Sequence, residues 1–121
     1  MKRDMDLVRM LLTYIEENDG DGLVRNGNSI SIDDRSLREI QGHLLILLDA
    51  SLIYGQQRDG RNPQNLNLVR LTWSGHEFLD SARDDGNWEK ARERMARAGG
   101  FTFEIAKQVL QQIILERLGM G

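Results

Sequence analysis

Arg35, Arg38 and Gln41 follow one another at three-residue spacing and so fall along one side of a helix. An arginine fork matches the O6 and N7 edge of guanine, and a glutamine amide matches adenine, which makes this trio the candidate base-reading set. A second polar group, Arg58, Arg61 and Asn62, sits in a turn-rich stretch and is suited to phosphate contact. Between Gly55 and Arg70 the sequence holds Arg58, Arg61 and Arg70 against Asp59, a local charge of +2. Arg94 and Arg97 lie in a stretch whose mixed charge, with Glu89 and Glu93, reads as a solvated face, though they could extend a phosphate contact. The chemistry these two trios suggest is contact with double-stranded DNA.

Other chemistries have less to work with. The sequence has no cysteine, so it offers no thiol nucleophile, thiolate zinc site or disulfide. Its two histidines, His43 and His76, are far apart in sequence and form no H-x-x-x-H pair. Glu16-Glu17 and Asp84-Asp85 are adjacent carboxylates, which point in different directions on a helix and read as solubilising charge. Gly20-x-Gly22 lacks the strand before it and the helix after it that a nucleotide-binding loop requires. No enzyme activity, metal or cofactor is expected.

The 121 residues suit one domain, with 40% apolar and 29% charged residues, a globular balance. No apolar run is long enough to span a bilayer and no basic-then-apolar leader opens the sequence, so a membrane location and secretion are not expected. The absence of cysteine fits a cytoplasmic protein. Sixteen Lys and Arg against nineteen Asp and Glu give a net charge of −3, which does not favour nucleic acid over the protein as a whole.

Helices and strands must position the candidate residues. Leu7, Val8, Leu11, Leu12 and Ile15 follow a 3.6-residue period, with Asp4 or Asp6 placed to cap the helix and Asn18 to Gly22 to end it. Ser29-Ile30-Ser31-Ile32 alternates and predicts a short strand. Ser36 and Glu39 form a capping box before a helix with core positions Leu37, Ile40, Leu44, Leu47 and Leu48. Leu52 to Tyr54 and Leu66 to Leu71 then predict two antiparallel strands joined by a polar loop. Ser74 and Glu77 repeat the capping-box spacing, Trp73 and Phe78 stand at staple positions, and Thr72 is an alternative cap. Trp73, Phe78 and Trp88 are expected in the core. Two further helices follow, Trp88 to Ala98 and a terminal one capped by Thr102.

Several strings carry a family resemblance. They are Met1-Lys2-Arg3-Asp4-Met5-Asp6-Leu7-Val8-Arg9, the run from His43-Leu44 to Leu52-Ile53, and Leu71-Thr72-Trp73-Ser74-Gly75-His76-Glu77-Phe78-Leu79-Asp80 with Arg83-Asp84-Asp85 and Trp88. Across essentially the whole sequence they resemble a bacterial and phage family called domain of unknown function 2513. The resemblance implies a small protein, often encoded in mobile elements or prophages, with a winged helix and no assigned catalytic residue or cofactor. Ser51 stands where the family pattern has glycine, which removes the residue best suited to a left-handed helix cap. The wider resemblance is to winged-helix regulators and holds at the level of fold.

The expected fold is mainly helical (α+β): a single domain whose winged-helix-like core spans 1–84, with a small antiparallel wing and a helical extension over 85–121. Two functions remain open. The first is a DNA-binding regulator. Against it, Asp33 and Asp34 precede the reading helix, residues 18–34 carry a charge of −3, and no supporting helix fits between Ile32 and Ser36. The second is a protein-interaction module that does not bind DNA. Leu45 and Ile46 point away from the core stripe of their helix, and Val109, Leu110, Ile113 and Ile114 give the last helix a wide apolar face. These six are the candidate interface with a protein partner or a second copy in a homodimer.

Overall fold

The computed structural model describes residues 2–57, 66–100 and 102–119. Among them the protein is mainly helical, with a small antiparallel sheet. The protein divides into two compact units, residues 1–76 and 77–121, with the division falling inside one helix.

In the first unit, α1 (Met5–Glu17) starts at Asp4, whose carboxylate accepts from the amides of Asp6 and Leu7. These are two of the donors that a helix start leaves unpaired. Its buried face is Met5, Leu7, Val8, Leu11, Leu12 and Ile15, the predicted stripe with one further residue. Asn18 closes the helix, its amide donating to the Tyr14 and Ile15 carbonyls.

Strand β1 is Val24–Asn26, and one 3-10 turn follows at Gly27–Ser29. The strand predicted at Ser29 to Ile32 is therefore displaced. The alternation there has a different cause: Ile30 is buried directly after the turn, with its amide on the Gly27 carbonyl, while Ile32 is half-buried.

Helix α2 (Leu37–Asp49) opens with the predicted capping box, Ser36 Oγ accepting from the Glu39 amide at 3.1 Å and Glu39 Oε1 from the Ser36 amide at 3.2 Å. Its core face is Ile40, His43, Leu44 and Leu47. Leu37, predicted as core, is instead 49% exposed. At the far end Ser51 takes φ 59°, with its amide on Leu48 O and the Leu52 amide on Leu47 O. That is a Schellman ending built on serine, so the left-handed cap persists without its usual glycine.

Strands β2 (Ile53–Gln57) and β3 (Leu66–Leu71) complete a sheet of order β1-β3-β2, antiparallel throughout. Val24 faces Val69, Ile53 faces Leu71 and Tyr54 faces Arg70. The register slips between Tyr54 and Gln56, where Leu68 sits at φ 55°, a bulge that re-aims the exposed face. α1 and α2 pack together and against β3, closing a core of α1 and α2 leucines over Ile53, Leu66, Val69 and Leu71. Each such side chain contributes about 1.5–3 kcal/mol when fully buried.

Helix α3 (Trp73–Ala82) starts two residues earlier than a Ser74 cap predicts. Thr72 is the cap: its hydroxyl accepts from the Gly75 amide at 3.0 Å and donates to the Ser51 carbonyl at 2.7 Å. Trp73 is 79% exposed, which corrects the expectation that it lies in the core.

In the second unit, α4 (Asp85–Ala98) is capped by Asp84 and ends at Gly99 in the left-handed region. Thr102 caps α5 (Phe103–Arg117), and α4 and α5 pack together. Phe78 meets Trp88 edge-on at 6.4 Å and Phe103 at 5.0 Å. Phe78 and Trp88, both predicted as core, are buried as expected.

Candidate functional site

The start of α2 brings Arg35, Arg38 and Gln41 together, but each has a different fate. Arg35 forms an ion pair with Asp4 and lies 3.9 Å from Glu39, with its side chain only 20% exposed. Gln41 donates from Nε2 to the Asn28 side-chain oxygen at 2.7 Å, pinning α2 to the 3-10 turn. Arg38 is the exposed member of the three.

The residues that hold Arg35 form a connected cluster. Asp4 caps α1 and pairs with Arg35. His43, buried at 1% exposure, accepts from the Asp4 amide through Nε2 at 2.9 Å, and its Nδ1 lies 2.8 Å from Glu39 O. Since an amide can only donate and a carbonyl can only accept, the ring is held as the neutral tautomer protonated on Nδ1. Burial raises the Asp4 pKa, but the hydrogen bond from Arg35 and the amides of Leu7 and Asp6 outweigh it, leaving a net lowering. The cluster is structural chemistry. It consumes a cation of the candidate reading set to join α1 to α2.

Asp33 and Asp34 are exposed just before this helix, Asp34 at φ 64°. Negative charge here favours the helix dipole and disfavours an approaching phosphate. Arg58, Arg61 and Asn62 lie outside the described residues. Arg70, at the end of the same candidate stretch, stacks its guanidinium 4.0 Å over the Tyr54 ring.

The candidate interface residues also separate. Leu110 and Ile113 are buried within the protein and offer no exposed face, while Val109 and Ile114 are half-buried. Leu45 and Ile46 are half-buried too. Among the described residues, the large apolar side chains that do reach the surface are Leu37, Tyr54, Leu68 and Trp73 in the first unit and Ile105, Leu115 and Leu118 in the second.

The second unit spends its charges internally as well. Arg94 bonds Glu116 at 2.7 Å, and Arg117 bonds both Asp84 at 3.2 Å and Asn87 at 2.7 Å. The Asn87 amide and Arg117 hold the Asp84 carboxyl below its ordinary value, and Arg94 does the same for Glu116. Arg97 remains exposed on α4. Among the described residues no group of three or more His, Asp or Glu side chains is arranged to hold a metal, and no helix is long and apolar enough to cross a membrane.

Sequence spacing could suggest Arg35 with Glu39, because i and i+4 share a helix face. It gave no sign of Asp4, which lies 31 positions away from Arg35, or of Asn28 against Gln41.

A family model described as "Hypothetical protein (DUF2513)" matches residues 2–101. An uncharacterised protein of Haemophilus influenzae is 29% identical over 120 residues, covering 98% of this sequence and 99% of its own length. No solved structure matches.

Proposed function

We propose that this protein, which belongs to the family described as "Hypothetical protein (DUF2513)", is a non-enzymatic protein-interaction module on a winged-helix scaffold that does not read DNA. The order α1, β1, 3-10 turn, α2, β2, β3 and the sheet order β1-β3-β2 support the scaffold. A supporting helix before the reading helix is reduced there to the single turn Gly27–Ser29.

The observation that carries the reading is the engagement of Arg35 and Gln41 inside the fold. Base readout needs side chains whose donors are available at a groove edge. Releasing Arg35 would leave the Asp4 carboxylate without its cation, so DNA would have to replace a partner already in place. Exposed Leu37, Tyr54, Leu68 and Trp73 give the same unit apolar surface of the kind that meets proteins.

The test places a photo-crosslinking side chain at Trp73 and, separately, at Arg38, in cells that carry the native gene. Protein adducts from position 73 with no nucleic-acid adducts from position 38 are expected. Nucleic-acid adducts from position 38 would overturn the reading.

A further inference from the structure

Asn26-Gly27 is the single Asn-Gly pair in the sequence. With no Cβ on the following residue, the glycine nitrogen meets little steric resistance when it attacks the asparagine Cγ. The new bond from that nitrogen to Cγ closes a succinimide as the bond between Cγ and Nδ2 breaks. The displaced nitrogen leaves as ammonia with the proton given up by the backbone N–H. Water then opens the ring on either side, to aspartate or to isoaspartate.

The fold holds this pair away from reaction. Asn26 is extended, φ −131° and ψ 113°, which sets the Gly27 nitrogen on the side of the Cα–C bond away from Cβ. Its side-chain oxygen accepts from the Asn28 amide at 2.9 Å, and its backbone oxygen accepts from the Ser29 hydroxyl at 2.7 Å. Asn26 also faces Asn67 across the β1–β3 ladder. Packing requires the glycine, because a Cβ at position 27 would lie 2.6 Å from the Leu66 carbonyl oxygen. The reactive dipeptide is thus a by-product of a close backbone approach.

We propose that Asn26 is a deamidation site gated by the fold: it reacts only when β1 leaves β3, and its rate follows that opening. Isoaspartate adds a methylene to the backbone at the Asn26–Asn67 position and a negative charge to the turn. β1 then cannot re-pair in register, and the turn that carries Asn28 to Gln41 loses its anchor, so the change runs one way.

The purified full-length protein is incubated at mildly alkaline pH, folded and in denaturing guanidinium, and peptides are followed for a gain of one mass unit. Asp-Gly pairs such as Asp19-Gly20 isomerise without a mass change and do not interfere. The gain is expected at Asn26, at least about tenfold slower in the folded protein, equivalent to an opening of about 1.4 kcal/mol or more. Val24→Ala, which weakens β1 without touching the dipeptide, should speed the folded reaction and leave the denatured one unchanged. Equal folded and denatured rates, a folded rate indifferent to Val24→Ala, or no gain at Asn26 in guanidinium would each overturn the proposal.

Discussion

The backbone amide of Asp4 donates to Nε2 of His43 across 2.9 Å, joining the first turn of α1 to the buried face of α2. The carboxylate of the same Asp4 takes Arg35. One residue therefore caps a helix, satisfies a buried imidazole through its backbone and occupies the cation that a reading helix would need.

Acid should expose that triple role. A carboxyl whose folded pKa is lowered contributes stability above its unfolded value, here 3.8, and loses it as pH falls through the lower folded value. Asp4→Asn keeps a good capping side chain but removes the charge. Urea midpoints of the wild type should fall more steeply below about pH 4 than those of Asp4→Asn. Parallel curves would contradict the Asp4–Arg35 pairing.

Ser51 holds the left-handed position that ends α2. A non-glycine side chain is strained there, so Ser51→Gly should stabilise the protein by about 0.5–1 kcal/mol. Chemical denaturation measures this directly, and a loss of stability would argue against the Schellman ending.

Gly75 is required by contact rather than by its own torsion angles. A Cβ there would lie 2.0 Å from the Leu52 carbonyl oxygen, whereas one at Gly20 meets nothing within 4 Å. Gly75→Ala should cost on the order of 3 kcal/mol or prevent folding, and Gly20→Ala should stay within about 0.5 kcal/mol of the wild type. Urea titration of the two variants side by side checks the contrast.

Leu110 is 0% exposed and Leu118 66% exposed towards the end of the protein. Leu110→Ala should cost about 2–5 kcal/mol with no change in sedimentation, while Leu118→Ala should be close to neutral in stability. A stable Leu110→Ala variant with altered assembly would return Leu110 to the interface.

Helices α1, α2 and α5 were legible because their signals are local, whereas α4 starts three residues before the expected Trp88. The α1 stripe and the Ser36–Glu39 box each lie within a few residues of the structure they cause. β1 was not, since Val24 is the one buried residue of its three and leaves no period to read. Trp73 misled because staple spacing describes where a side chain could go, whereas the Thr72 hydroxyl sets where the helix begins. The candidate reading residues were found by type and spacing. Their engagement was not, because Asp4 with Arg35 and Asn28 with Gln41 are tertiary pairings with no sequence period.

The most direct test is fluorescence anisotropy of labelled duplex DNA against the purified protein at about 50 and then 200 mM salt, a rise that would weaken binding resting on several phosphate contacts by orders of magnitude. With Arg35 and Gln41 engaged and Asp33 and Asp34 facing the approach, no rise in anisotropy is predicted at micromolar protein, even at the lower salt. Micromolar binding that collapses between the two salt concentrations, and weakens further in Arg38→Ala, would contradict it.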